Sequence, residues 1–261
     1  MKHVRIERDG RIATVTLDRG NAANALSLSA MRELTEAARS FENDHETSAV
    51  ILAGGANFSM GFDLRDAESG EVRALGLAER RQRLAAGPRM CQAWQDIEPL
   101  TIAAIEGWCI GGGVALAVAC DFRVVGRSAT LYTPEIERGM SMSWGSVPRT
   151  VALIGPARAK RLLILAERLD ADRALGWGLA DEKAEDGETL AAARRIAERA
   201  AGLPPAQVRM IKELIDANAH ALGRATAAID RDQFILSQSS GDFEEGVRSF
   251  LEKRPAKFTG E

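Results

Sequence analysis

Three places in this 261-residue chain carry residue types and spacings suited to chemistry. The first is Ala53-Gly-Gly-Ala-Asn-Phe-Ser-Met-Gly-Phe-Asp-Leu64, which follows a short apolar run. The second is Glu106-Gly-Trp-Cys-Ile-Gly-Gly-Gly-Val-Ala-Leu-Ala-Val-Ala-Cys120, where a glycine run leads into a helix-compatible apolar segment. The third is Tyr132-Thr-Pro-Glu-Ile136, which sets the carboxylate of Glu135 beside a proline. Glycines between a strand and a helix let the backbone approach a ligand and aim its N–H groups at an anion. A neighbouring carboxylate can carry a proton to or from whatever those donors hold. On glycine content alone, close packing of a helix on a sheet is an equally good reading. Nucleotide loops are excluded. Gly107 and Gly112 have GxxxxG spacing, but Gly113-Val114 stands where Lys-Ser/Thr is required, and no GxGxxG occurs.

Histidine offers little. His3, His45 and His220 are scattered and far from the glycine turns, which argues against a His-based triad or a His-ligated metal. Cys91, Cys109 and Cys120 are too few for a disulfide framework and match no zinc spacing. With 34 Lys+Arg against 37 Asp+Glu, the net charge of −3 leaves no basic field for nucleic acid. The N-terminal segment has no apolar targeting core, and the longest apolar stretch, Ile110 to Ala119, is too short and glycine-rich to span a bilayer. The expectation is a soluble cytoplasmic protein with no metal site and no membrane or nucleic-acid partner.

The elements that must position these residues follow from periodicity. Val4–Glu7 and Ile12–Leu17 alternate and are joined by Asp9-Gly10, which predicts a hairpin. Leu28 to Phe41 has helical spacing with Ser27 as N-cap. Ala49–Ala53, Thr101–Ile105 and Phe122–Val125 read as buried strands. Asp66 to Ala86 is rich in charge and alanine, predicting a partly helical segment with a mobile start. From Pro156 the pattern is helical: Ala157–Ala166, Asp170–Leu175, Glu188–Ala201, a long stretch from Pro204 to Ser239, and Phe243–Leu251 before a basic tail. This predicts an α/β core over 1–201 and a helical region over 202–261.

The paired turns, followed by Pro134-Glu135 and Gly139, resemble the crotonase superfamily of enoyl-CoA hydratases and isomerases. The similarity takes in Asn24-Ala-Leu26, Cys120-Asp-Phe-Arg123, Arg158-Ala-Lys160, Gly178-Leu-Ala-Asp181 and Glu244 to Arg254, nearly the whole chain. The resemblance implies a spiral of ββα units with a C-terminal helical trimerisation region, hence a homotrimer or a dimer of trimers. It implies an acyl-CoA substrate, with CoA entering as part of the thioester and no permanently bound cofactor. By position, the N–H groups of Phe62 and Gly112 form an oxyanion hole and Glu135 carries the proton. Removing a proton from a thioester puts charge on its oxygen, and one fixed donor to that oxygen is worth roughly 3–4 kcal/mol. Ser59 and Met60 fall where the family seats the nucleotide, while Arg231 and Phe234 match its CoA phosphate and adenine contacts. Lys253 and Lys257 either add charge there or form a solvated tail. Ala25, Asp63, Leu64, Trp108, Ile110, Ala115, Ser143 and Trp144 are the positions expected around the acyl group.

Two departures bear on the reaction. The family's hydratases use two glutamates; Glu135 matches the second, and Ala115 stands at the first. A lone glutamate resembles the family's 3-enoyl to 2-enoyl-CoA isomerases. Hydration by Glu135 alone or with another acid, chemistry on aromatic acyl-CoAs, and a non-catalytic acyl-CoA binder are the alternatives. An RNA-binding member with a lysine comb ranks low, because no helix carries lysines at helical spacing. The second departure is Met140-Ser-Met-Ser-Trp-Gly-Ser-Val147, where Trp144 replaces a small residue and either reshapes the acyl pocket or packs in the core. Glu106 and Glu137 are weak candidates for the missing acid, and Tyr132 suits packing better than catalysis.

Overall fold

Cover on both faces explains the central strands. The computed structural model describes residues 1–66, 72 and 74–261. In β3 (Ala49–Ala53) every residue is buried: Ala49, Ile51 and Ala53 pack in one apolar cluster, Val50 and Leu52 in another. A strand buried this way reads as a continuous apolar run rather than an alternating one. It lies in a six-stranded sheet with β1 (Val4–Asp9), β2 (Ile12–Leu17), β4 (Leu100–Ile105), β6 (Phe122–Gly126) and β9 (Glu182–Ala184). The order is β1-β2-β3-β4-β6-β9; β1 and β2 are antiparallel across Asp9-Gly10, and the remaining pairs are parallel. A second sheet joins β5 (Trp108–Ile110), β7 (Thr130–Tyr132) and β8 (Leu169–Asp170) in the order β5-β7-β8.

The helices are α1 (Leu28–Arg39), α2 (Leu77–Arg83), α3 (Ala86–Gln95), α4 (Gly112–Ala117), α5 (Ser146–Leu163), α6 (Ala171–Trp177), α7 (Thr189–Ala201), α8 (Pro205–Ala219), α9 (Gly223–Ser237) and α10 (Gly241–Glu252). Ser27 caps α1 by accepting from the Ala30 N–H at 3.2 Å. α7 lies on one face of the main sheet through Ala192, Ala193, Ala197 and Ala200, small residues that let helix and sheet approach closely. On the other face α1 packs against α3, where buried Trp94 donates its indole N–H to the Leu34 carbonyl at 3.2 Å. α8 is tied back to the sheet by Lys212, whose ammonium donates to the carbonyls of Ile97 (2.7 Å) and Pro99 (3.0 Å) and pairs with Asp121 at 2.6 Å.

Some expectations change. The stretch from Pro204 to Ser239 is two helices, α8 and α9, separated around His220–Leu222. The helix expected over Ala157–Ala166 forms the second half of α5 and ends at Leu163; the first half, from Ser146, is set off from it by non-helical Gly155 (φ 74) before Pro156, which has no N–H for a helix interior. Strands β5, β7, β8 and β9 have only two or three residues, too few to show any periodicity. The mobile start expected of the Asp66–Ala86 segment falls on residues 67–71 and 73, outside the described residues; its later part contains α2.

Candidate active site

Parallel pairing brings the two glycine turns together. β3 and β4 run side by side with Ala53 opposite Ala104, so the chain leaves both strands at the same edge of the sheet. The turns then bond to each other: Phe58 N–H to Glu106 O (2.9 Å), Ser59 N–H to Trp108 O (3.1 Å) and Ile110 N–H to Ser59 O (2.9 Å). Gly61 adopts φ +82, and a Cβ there would lie 2.6 Å from the Ile110 carbonyl oxygen, so glycine is required for the approach. The same point lies 3.3 Å from the Gly112 nitrogen, which places residue 61 beside the start of α4.

Two backbone donors are left over at this junction. Leu26 bridges Phe62 in parallel fashion, donating to Gly61 O at 2.7 Å and accepting from Asp63 N–H at 3.0 Å. That pattern uses the groups flanking Phe62 and turns its own N–H away from Leu26. Gly112 opens α4, and a first-turn N–H has no intrahelical acceptor. Neither N–H has a hydrogen-bond partner among the described residues.

Glu135 reaches the same place from the second sheet. β7 pairs with β5, Tyr132 opposite Ile110, and the Gly111 N–H donates to the Tyr132 carbonyl at 2.8 Å. The chain turns at Pro134, and the Glu135 carboxyl comes to rest against Gly111 (φ +51), where a Cβ would fall on its Oε1. Its Oε2 is buried without a hydrogen-bond partner. Burial pushes the carboxyl up from 4.5 to about 7, opposed only in part by its own backbone N–H and then by the Arg138 guanidinium. A buried, raised carboxyl in a cleft beside unused donors marks a functional site.

The cavity around these groups encloses about 780 Å³ of empty space, its open mouth included. Of the residues expected at the site, it is lined by Glu135, Phe62, Gly112, Met60, Phe234, Leu64, Ile110, Ser143 and Trp144. Six others lie elsewhere. Ala115 is fully buried in the core cluster and is not among the lining residues. Ser59 is fully buried, and its hydroxyl accepts from the Gly61 N–H at 3.1 Å, bracing the turn. Asp63 pairs with Arg19, whose Nη1 also donates to the Ala25 carbonyl at 2.9 Å. Trp108 and Arg231 stand outside the lining, Arg231 donating to Asp232 at 3.2 Å.

The weak candidates for a second acid are occupied. Glu106 accepts from Gly187 N–H (3.0 Å), Thr189 N–H (3.2 Å) and Thr189 Oγ1 (2.7 Å), so it fixes the start of α7. Glu137 accepts from the Tyr132 hydroxyl, while the Arg168 guanidinium lies 4.8 Å over the Tyr132 ring. Neither Glu137 nor Tyr132 lines the cavity. Burial pushes the Cys91 and Cys120 thiols up to about 12 and Cys109 higher still, which leaves them inert as nucleophiles. Among the described residues no cluster of His, Cys, Asp and Glu could hold a metal, and no helix is long and apolar enough to cross a membrane.

Several contributors escaped the sequence reading. Gly87, Met31, Met140, Met142 and Arg138 line the cavity, and Asp230 and Arg149 hold the loop that carries Trp144. Asp230 is adjacent to Arg231, which is the only signal near it. Nothing about Gly87 or Arg149 distinguishes them from ordinary helix residues until α3, α5 and α9 are packed.

Comparison with known proteins agrees with this geometry. The chain is 29% identical over 254 residues to a short-chain-enoyl-CoA hydratase of Clostridium acetobutylicum, covering 97% of this chain and 96% of that one. It is 30% identical over 258 residues to a probable enoyl-CoA hydratase of Mycobacterium tuberculosis, covering 97% and 96%. A solved enoyl-CoA hydratase/isomerase from Pseudoalteromonas atlantica superposes with a TM-score of 0.87 at 27% identity, over 99% of this chain and 100% of that one. The family model for enoyl-CoA hydratase/isomerase matches residues 7–261, a span that takes in both turns, Glu135 and every helix of the C-terminal region. On that match and these relatives, the chain belongs to the enoyl-CoA hydratase/isomerase family of the crotonase superfamily.

Proposed function

We propose that this enzyme moves the double bond of an enoyl-CoA, using Glu135 as its single proton carrier. The observation that carries the reading is one buried carboxyl, Glu135, beside two unused N–H groups, with the methyl of Ala115 buried in the core where a second carboxylate would have to originate. The thioester oxygen sits between the N–H groups of Phe62 and Gly112. Ionised Glu135 takes a proton from C2 of a 3-enoyl-CoA, and the C–H electron pair moves into the enolate, whose charge the two donors stabilise. Protonated Glu135 then returns the proton to C4 as the double bond settles between C2 and C3. Each step leaves atoms and charge balanced with no water consumed.

Hydration by Glu135 alone is the second reading, favoured by the hydratase names of the relatives. The two part cleanly when purified protein is given a 3-enoyl-CoA and a 2-enoyl-CoA and products are followed by mass spectrometry. Conversion of the first with no mass gain in the second supports isomerisation. A gain of one water by the 2-enoyl-CoA overturns it. Glu135→Gln is expected to lower turnover by about a hundredfold or more, the usual contribution of a positioned acid–base group. Self-association completes the proposal: Met210, Ile211, Leu214 and Ile215 of α8 are all more than half exposed, an apolar stripe suited to a second copy of the chain.

A further inference from the structure

The thioester reading leaves open how long an acyl group the site accepts, and the setting of one side chain bears on that. We propose that Trp144 is the end wall of the acyl pocket and restricts the enzyme to short acyl thioesters. The inference rests on the acyl-CoA reading above.

Trp144 holds φ 65, in the left-handed region that a bulky side chain avoids. Such a conformation persists where the surroundings fix it from more than one side. Here the peptide group that follows it is gripped at both of its polar atoms. The Trp144 carbonyl accepts from Arg149 Nη1 at 2.8 Å, and the following Gly145 N–H donates to Asp230 at 2.6 Å. Asp230 also accepts from Ser143 Oγ at 3.3 Å, and Arg149 is steadied by Gln95 at 2.7 Å. Residues of α3, α5 and α9 therefore converge on one peptide turn and aim one indole.

The indole enters a slot bounded by two glycines. A Cβ on Gly112 would lie 2.6 Å from its Cη2, and a Cβ on Gly87 of α3 would clash with the ring, 2.5 Å from Cδ2. A side chain at either position would expel the ring. Phe62 meets it edge-on, with centroids 6.4 Å apart and planes at 81°. The ring thus packs against both residues whose N–H groups are free. An acyl chain whose carbonyl oxygen lies between those donors therefore starts beside the indole, which lines the cavity together with buried Leu28 and Met31.

The test is equilibrium binding of butyryl-CoA and octanoyl-CoA, saturated thioesters the isomerase cannot turn over. Isothermal titration calorimetry is run on wild type, Trp144→Ala, Gly87→Ala and the double variant. Wild type is expected to bind butyryl-CoA at least tenfold more tightly than octanoyl-CoA, and Trp144→Ala to erase that preference. Gly87→Ala is expected to lower Tm in the wild type and to be tolerated in the Trp144→Ala background, a dependence that a merely exposed tryptophan would not produce. If Trp144→Ala does not fold, Trp144→Leu reads the same preference with a smaller side chain. Equal binding of both thioesters by wild type, or a variant ratio within twofold of wild type, overturns the inference and leaves the acyl-CoA reading standing. Failure of both thioesters to bind natively folded wild type overturns that reading and this inference with it.

Discussion

Replacing Glu135 by glutamine tests the electrostatics of the site without any substrate. The carboxyl is buried, one of its oxygens has no hydrogen-bond partner, and burial moves it from 4.5 to about 7. At 1.36 kcal/mol per tenfold, the displacement corresponds to about 3 kcal/mol. Linkage fixes the direction. Between 4.5 and about 7 the folded protein keeps a proton that the unfolded chain has released, so this group's stabilisation is full below 4.5 and is lost as pH rises towards 7. Above that value the loss is complete and level. Glutamine has the shape of the protonated acid and never ionises. The stability of Glu135→Gln relative to wild type is therefore expected to grow by about 3 kcal/mol across the window and then stay constant. Urea denaturation of both proteins, followed by far-UV circular dichroism at several pH values spanning that window, measures the difference, and other titrations common to both proteins cancel. A difference that is flat with pH would mean that Glu135 ionises as a solvated carboxylate does, and would refute its role as a buried proton carrier.

Two further outcomes follow from the packing. Gly111→Ala places a methyl on the Glu135 carboxyl and forces a residue with a Cβ to hold φ +51; activity is expected to fall at least as far as in Glu135→Gln, while the Tm drops by only a few degrees, measured by turnover and calorimetry. Asp121→Ala leaves the Lys212 ammonium with two carbonyls and no counter-charge, and also removes the acceptor for the Thr101 N–H and hydroxyl; a loss of about 3 kcal/mol is expected by urea denaturation.

The sequence was most legible where a physical rule acts locally. The Asp9-Gly10 hairpin, the Ser27 cap and the run Ala49–Ala53 each follow from neighbours within a few residues, and the structure has them there. The two glycine turns were recognisable as close approaches, because only glycine suits positions such as Gly61 and Gly111. What joins them was not. Their juxtaposition depends on β3 pairing with β4 in level register, a non-local choice that no window of residues encodes. The slot for Trp144 was hidden for the same reason: Gly87, Arg149 and Asp230 acquire meaning only when three helices distant in sequence converge. Glu106 is a weak candidate from its position beside a glycine turn, and the partners that occupy it lie some 80 residues away at the start of α7.

The burial that makes Glu135 costly to ionise also suits it to the reaction proposed. A carboxyl at 4.5 would be a weaker base and almost wholly ionised at neutral pH. At about 7 its two forms are nearly equal in population, and the same group serves both halves of the transfer with little bias between them. Water addition makes a different demand, since one group must orient and deprotonate water while a proton is supplied at the neighbouring carbon. Ala115 offers nothing for that second task, and Glu106 and Glu137 are held by Thr189 and Tyr132 respectively. Of the lining residues, Met31, Met142 and Phe62 present no side-chain acceptor or donor, and the polar ones, Arg138, Ser141, Ser143 and Gln238 among them, include no second carboxyl. A single buried acid with no second carboxyl in the lining favours a proton that leaves one carbon and returns to another on the same group.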